Sequence, residues 1–298
     1  MNWPFAKYVG SGNDFALFDN RKKNFPISAD LIRHLCNRHY GIGADGVLLL
    51  EDSTRADFRM RIFNSDGTEA EMCGNGLRCF VQWLPTIDAN ENRQNFQIEV
   101  MEQLLEGEII TKQTVKISIK INKEVVWNLP IEIDKEIIHI HLINTGVPHA
   151  VVFSDQVDDI PIEKIGPKIR NHPKLQPQGT NVTFVEKRSP NQLKIRTYER
   201  GVEGETLACG TGAAAAALVL GHLLNLSGPI HVETRSKEIL EIDFDLSKSG
   251  FSNITLTGPT YHIFDGEVRL PKEFTEPHSF KNIYNHTIPD SKMVSLRI

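Results

Sequence analysis

Two copies of the tetrapeptide Cys-Gly-Xaa-Gly divide this chain into matching halves, and each copy opens a helix-like run. The first, Cys73-Gly74-Asn75-Gly76, stands in NSDGTEAEMCGNGLRCFVQWL; the second, Cys209-Gly210-Thr211-Gly212, stands in YERGVEGETLACGTGAAAAALVLGHLL. Glu69 precedes the first cysteine by four positions and Glu205 precedes the second by four. A repeat aligned at such residues marks a tandem duplication. The expectation is an α+β chain of two pseudo-symmetric domains, each with one apolar helix sheathed by a curved, mostly antiparallel sheet. The run after Cys209 is apolar almost all round, so it belongs inside on every side.

The pattern along the chain fits that plan. FAKYVGSGNDFALFDN reads as strand, tight turn, strand, with Gly10, Ser11 and Gly12 in the turn. ISADLIRHLCNRHY has a helical period, with Ser28 as N-cap and Leu31, Leu35 and Cys36 on one face. VLLLE, DFRMRIFN, FQIEV, EGEIITKQ and TVKISIKI read as strands, and GLRCFVQWL as a helix that stops near Pro85. The second half gives strands at IIHIHLINTG, HAVVFS, NVTFVEKRS, QLKIRTYERG, HVETRSKEILEIDF, NITLTG and YHIFDGEVRL, with helices at PIEKIGPKIRNH and TGAAAAALVLGHLLNL. The expected division is residues 1–122, to which 264–275 return, then 123–263, and last an irregular extension over 276–298.

A chain of 298 residues is long enough for two domains. Its net charge of −5 points away from nucleic acid and anionic membrane surfaces as partners. No apolar run approaches the ~20 residues of a membrane span. The start, MNWPFAKYVGSGND, lacks the basic and apolar regions of a signal peptide, so a cytoplasmic location is expected, with four cysteines that need no disulfides.

A cysteine at a glycine-rich helix N-terminus meets unpaired backbone N–H groups and the positive end of the helix dipole, a setting expected to lower its pKa. The same N–H groups can hold a carboxylate. Two such sites facing each other would put a thiol on either side of one bound anion. GIGADG at 41–46 matches a dinucleotide fingerprint in form, but a helix precedes it and a strand follows, so a helix C-cap and turn is the better reading. Cys36 with His39, or His139 with His141, falls short of a metal ligand set, and no metal is expected. Cys79 reads as a small buried hydrophobe. Asn13, Asn64, Asn75 and Asn181 occupy turn contexts, where asparagine is common; together they also suit recognition of a zwitterion. Glu199-Arg200, just before the second cysteine loop, could be a solvated pair or an ammonium acceptor beside a carboxylate fork.

At GSGNDF, GIGADG, RIFNSDGTEAEMCGNGLRCF, TGVPH, GTNVTFV and YERGVEGETLACGTGAAA the chain resembles the diaminopimelate epimerases, in order and spacing, from about Phe5 to Leu270. The resemblance implies a cofactor-independent homodimeric enzyme of lysine biosynthesis that interconverts LL- and meso-diaminopimelate. It implies two barrel-like domains, each around a central helix, with the active site in the cleft between them. It makes Cys73 and Cys209 the catalytic pair. Asn13, Asn64, Asn181, Glu199 and Arg200 would bind substrate, and Gly74-Asn75 and Gly210-Thr211 would offer N–H groups to the reacting carboxylate. His149 and Glu199 would tune the cysteines. Gly46, where many members have Gln, and Val147, where many have Asn, depart from the pattern.

The implied chemistry removes a weakly acidic α-proton and returns it to the opposite face, one cysteine acting as thiolate base and the other as thiol acid. A proline racemase or hydroxyproline epimerase would share that chemistry, although those enzymes usually carry His where this chain has Asn75. A redox-switch binding protein would use the same cysteines without substrate-dependent proton exchange.

Overall fold

The computed structural model describes residues 2–88, 90–121, 125–271 and 274. The extension expected over 276–298 lies outside the described residues, as do 272, 273 and 275 of the segment expected to return to the first half.

The first half opens with β1 (Asn2–Gly10) and β2 (Asn13–Asp19), an antiparallel hairpin whose turn places Ser11 at φ 53° and Gly12 at φ 91°. Helix α1 (Ala29–Cys36) follows, its first turn capped by the Ser28 side chain, which accepts the Leu31 N–H. β3 (Gly46–Glu51) runs parallel to β2, and β4 (Phe58–Asn64) antiparallel to β3. Helix α2 (Gly74–Trp83) then leads to β5 (Asn95–Val100), parallel to β4, and to the antiparallel meander β6 (Gln103–Thr111) and β7 (Thr114–Ser118).

The second half repeats this order. β9 (Glu136–Asn144) and β10 (Pro148–Phe153) pair, and α3 (Ile162–Arg170) crosses to β11 (Asn181–Ser189), parallel to β10. β12 (Gln192–Glu199) is followed by the short β13 (Gly204–Thr206), by α4 (Gly210–Leu224) and by β14 (Ile230–Glu233), parallel to β12. β15 (Ile239–Ser247) and β16 (Gly250–Pro259) complete the meander. Two further strands exchange places: β8 (Val126–Ile133) ends the first half but pairs with β9, and β17 (Tyr261–Arg269) ends the second but pairs with β1.

The hydrogen-bonded order is therefore β17-β1-β2-β3-β4-β5-β6-β7, joined through the β7–β16 pair to β16-β15-β14-β12-β11-β10-β9-β8, with β13 added to β12. Each run of strands curls around one helix, α2 in the first and α4 in the second. The closeness of that wrap is visible at Gly107, where a Cβ would stand 2.4 Å from Val81 Cγ2, and at Gly221, where it would stand 2.5 Å from the Phe244 ring. One core runs through both halves, from Leu77, Phe80 and Val81 of α2 to Ala213–Leu220 of α4. The small side chains of Ala213–Ala217 bring the second sheet close to its helix on all sides. Helices α1 and α3 cover the outer faces with separate clusters.

The barrel-like α+β architecture is the expected one, with three differences of detail. Crossover helices make β2–β3, β4–β5, β10–β11 and β12–β14 parallel, because a helix between two strands returns the second in the same direction. HVETRSKEILEIDF forms two strands, β14 and β15, around a turn with Lys237 at φ 71°. β8 and β13 have no counterpart in the sequence reading. Among the described residues no helix is long and apolar enough to cross a membrane.

Candidate active site

The two cysteine loops are pinned in the same way. On β4, Arg61 grips Glu69 with two parallel hydrogen bonds, Nε to Oε1 at 2.7 Å and Nη2 to Oε2 at 2.8 Å. On β12, Arg196 grips Glu205 at 2.7 Å through both pairs of atoms, and its Nη1 also donates to the carbonyls of Val157, Asp158 and Ile160. A bidentate fork fixes orientation as well as distance. The repeated glutamate four residues before each cysteine is thus the anchor of the segment that delivers it.

Each cysteine then caps the helix it opens. Cys73 is the N-cap of α2 in extended backbone, and its Sγ accepts the Gly76 N–H at 3.3 Å. Cys209 does the same for α4, accepting the Gly212 N–H at 3.4 Å. The two helix N-termini abut: a Cβ on Gly74 would stand 3.8 Å from Gly210 Cα, and one on Gly210 would stand 3.5 Å from Asn75 Oδ1. The first N–H groups of each helix have no intrahelical carbonyl to meet, so those of Gly74, Asn75, Gly210 and Thr211 are gathered at one place.

Asn75 ties the halves together. Its Nδ2 donates to Asn13 Oδ1 at 2.6 Å and to the Ala208 carbonyl at 3.0 Å. Asn13 donates in turn to Asp45 Oδ2 at 3.2 Å. Asp45 is held by Arg38, which also forks onto Asp14, and Asp14 pairs with Lys7 at 2.8 Å. Burial pushes the Asp14 carboxyl up, but hydrogen bonds from Arg38 and Lys7 outweigh it and hold the group below the usual carboxylate range. The GIGADG segment wraps the end of α1 as expected, the Gly43 and Ala44 N–H groups donating to the Leu35 and Cys36 carbonyls. Its further effect is to set Asp45 against Asn13. A Cβ at Gly46 would stand 2.7 Å from the Phe63 carbonyl, so a larger residue there needs a shifted backbone.

A second network runs from Cys209. Its Sγ meets Thr211 Oγ1 at 3.4 Å, Thr211 Oγ1 meets His149 Nε2 at 2.9 Å, and His149 Nδ1 meets Thr183 Oγ1 at 3.1 Å. Asn181 Nδ2 lies 3.4 Å from His149 Nε2, and Asn181 Oδ1 accepts the Arg200 N–H at 2.8 Å. His149 is wholly buried, and burial pulls its pKa down to about 3, with Arg200 acting in the same direction. It is a neutral imidazole that reaches Cys209 only through Thr211. Glu199 lies at the end of β12, accepting a hydrogen bond from Thr206; burial pushes its carboxyl above the usual range, against the opposing effect of Thr206 and Cys209. Arg200 Nη1 donates to the Gln178 carbonyl at 3.1 Å. Asn64 stands apart: it is exposed, opposite Gly46 across the β3–β4 pair, and donates to Thr68 within its own turn at 3.1 Å.

The expectation of lowered thiol pKa values is not met. Burial pushes the Cys73 thiol up to about 11; the Gly76 N–H opposes this, the Glu199 carboxylate adds to it and Arg78 counters it. Burial likewise pushes Cys209 well up, with Glu199 and Cys73 acting in the same direction against the Thr211 hydroxyl and the Gly212 N–H. Helix-end dipoles act on both sulfurs, but desolvation of the thiolate wins. Cys79 and Cys36 are buried thiols outside this cluster, as expected.

Sequence reasoning missed Asp45, Arg78, Thr183, Thr197 and Thr206. A Cβ at Gly212 would stand 2.9 Å from Thr183 Oγ1 and 3.1 Å from Thr197 Oγ1, so these hydroxyls define the floor under the second cysteine turn. The available signal was Arg78 itself, a lone charge in the apolar run GLRCFVQWL.

Comparison with known proteins fits this geometry. A sequence model of the family described as diaminopimelate epimerase matches residues 5–120 and 141–260. The diaminopimelate epimerase of Aquifex aeolicus strain VF5 is 41% identical over 91% of this chain and 99% of its own length, and that of Hydrogenobaculum sp. strain Y04AAS1 is 39% identical over 88% and 96%. A crystal structure of a hydroxyproline epimerase from Agrobacterium vitis shares the fold, with a TM-score of 0.66 over 90% of this chain and 92% of that one, at 16% identity. With two thiol-capped helices meeting at its centre and kinship of this extent over both halves, the chain belongs to the diaminopimelate epimerase family.

Proposed function

We propose that this amino-acid epimerase interconverts LL- and meso-2,6-diaminopimelate, in lysine biosynthesis, by proton transfer between Cys73 and Cys209. The observation that carries the reading is the meeting of the two cysteine-capped helix N-termini across the junction of the halves. The substrate's reacting carboxylate would lie against the N–H groups of Gly74, Asn75, Gly210 and Thr211. Those dipoles favour the extra negative charge that develops as the α-proton leaves. One cysteine, as thiolate, takes the proton and becomes a thiol; the other, as thiol, returns a proton to the opposite face and becomes the thiolate. In the competent enzyme the pair holds one proton in either form, so its titration is coupled; because burial raises both thiols, the free chain must give up its second proton to reach that form. No cofactor enters this scheme.

Asn13, Asn64, Asn181, Glu199 and Arg200 are assigned to substrate binding, with Arg200 suited to a carboxylate and Glu199 to an ammonium. Glu199, whose charge raises both thiols, and His149, coupled to Cys209 through Thr211, are assigned to tuning the pair. The division into 1–122 with 264–275, 123–263 and 276–298 is retained as a proposal, supported by the pairing of β17 with β1. A cytoplasmic homodimer completes the reading, supported by four free cysteines and by exposed Ile263 and Phe264 on edge strand β17. Incubation with LL-diaminopimelate in deuterium oxide tests the function. Deuterium at the α-carbon together with meso product is expected; no exchange with diaminopimelate but exchange with proline or hydroxyproline would move the chain to the rival chemistry.

A further inference from the structure

Arg78 is a positive charge sealed beneath the two Cys-Gly turns. Its side chain, on α2, has no exposed surface. Nη2 donates to Ser11 Oγ at 2.8 Å and to Asn75 Oδ1 at 2.9 Å, and Nη1 donates to the Gly74 carbonyl at 3.3 Å. These acceptors are all neutral, and Nε has no partner among the described residues. Two glycines of the second half make room for the guanidinium: a Cβ on Gly258 would stand 3.1 Å from Nε, and one on Gly210 would stand 3.6 Å from Nη1. Arg78 therefore lies at the contact between α2, the N-terminus of α4 and β16. Burying a charge among neutral hydrogen-bond acceptors is costly; the carboxylate of Glu238 acts on Arg78 without bonding it, which leaves the guanidinium open to a negative charge that comes and goes.

The thiol pair supplies that charge. In the competent enzyme the two cysteines share one proton and carry a single negative charge between them, which moves from one sulfur to the other during turnover. The charged and titratable groups around Cys73 are Glu199 from β12, Cys209 from α4 and Arg78 from α2; those around Arg78 are Cys79, one position on along α2, then Cys73 and Glu238. Arg78 is the cation of this set.

We propose that Arg78 is a positioning residue that acts through the cysteine pair: it is the fixed counter-charge of the shared thiolate, and its fork holds the Asn75 carboxamide, which bonds Asn13 in its own half and Ala208 across the junction. Charge and fork are separable. Lysine in its place keeps the first and loses the second, whereas methionine loses both.

The inference rests on the reading of Cys73 and Cys209 as the proton-transfer pair, and the experiment separates the two. Arg78→Met and Arg78→Lys are compared with wild type for iodoacetamide modification of Cys73 at pH 9, read by peptide mass spectrometry, together with kcat, KM and thermal unfolding. Arg78→Met is expected to slow Cys73 modification at least about tenfold, the effect of one pKa unit on a thiolate. It is expected to lower kcat at least about 100-fold while KM moves less than about fivefold, as for loss of a group that acts on proton transfer. Arg78→Lys is expected to keep modification within about threefold of wild type. A folded Arg78→Met enzyme with wild-type modification and kcat overturns the proposal, and so does an Arg78→Lys enzyme slowed more than about threefold. Should Arg78→Met fail to fold, the Arg78→Lys rate alone decides by the same limit. If Cys73→Ala or Cys209→Ala keeps turnover, the two-thiol reading fails whatever Arg78 does; if both are dead and Arg78→Met is normal, only the counter-charge fails.

Discussion

Gly74 and Gly210 meet backbone to backbone: a Cβ added to the first would stand 3.8 Å from the Cα of the second. This contact sets how closely the two cysteine turns approach, because each cysteine is the residue immediately before. The next glycine of the second turn is tighter still. Gly212→Ala should gain up to about 1 kcal/mol in helix propensity, yet its Cβ would stand 2.9 Å from Thr183 Oγ1. The expected outcome is a lower melting temperature and a loss of turnover, measured by calorimetry and by epimerase assay; an unchanged or raised melting temperature would show that the turn has room to spare.

The matching forks invite a double-mutant cycle. Arg196–Glu205 is the more buried of the two pairs, and Arg61–Glu69 is its counterpart nearer solvent. Coupling energies from urea unfolding of the single and double alanine variants should reach about 1.5–3 kcal/mol for the buried fork and be smaller for the other, where solvent screens the charges. Equal and negligible couplings would mean that the forks do not hold the loops.

Buried His149 gives a pH dependence of known sign. Its folded pKa of about 3 lies below the ordinary histidine value of 6.5. The unfolded chain therefore binds the proton first, and stability falls as pH drops from 6.5 toward 3, by about 1.4 kcal/mol per pH unit for one proton. Unfolding free energies of wild type and His149→Gln at pH 4, 5, 6 and 7 should converge as pH falls. Parallel curves would place a charged imidazole in the folded protein.

The thiols act at the other end of the scale. With Cys73 raised to about 11 from an ordinary value near 9, the folded chain keeps a proton that the unfolded chain gives up. That contribution to stability is present below pH 9 and lost between pH 9 and 11. Alkylation of Cys73 should accelerate about tenfold per pH unit from pH 7 to 10 without a plateau. A plateau below pH 8 would mean that the helix N-terminus overcomes burial after all.

Much of this was legible in the residues, and what was not has physical reasons. The cysteine turns announce themselves because glycine beside cysteine ahead of an apolar run has few other uses. The strand β8 was hidden: Pro130 and left-handed Asn128 interrupt VWNLPIEI, and a register shift between Val126 and Leu129 breaks its alternation. Such features are tolerated because β8 is an edge strand with no partner on its far side among the described residues. Parallel pairing left no mark in the alternation of β2 or β4, since period two reports which face is buried and not which way the neighbour runs. The thiol pKa values were misjudged because a helix N-terminus is visible in sequence while the desolvation around it is a property of packing. Asp45 was hidden within GIGADG, whose glycines account for the turn without it.

The central claim is that two sulfurs, one from each half, serve a single stereocentre. Turnover of LL- and meso-diaminopimelate by Cys73→Ala and by Cys209→Ala tests it most directly. Both variants should fold, bind substrate and show epimerisation reduced by at least about 10³-fold in both directions, the scale of a lost general acid or base. Near-normal turnover in either single variant would contradict the two-thiol mechanism outright.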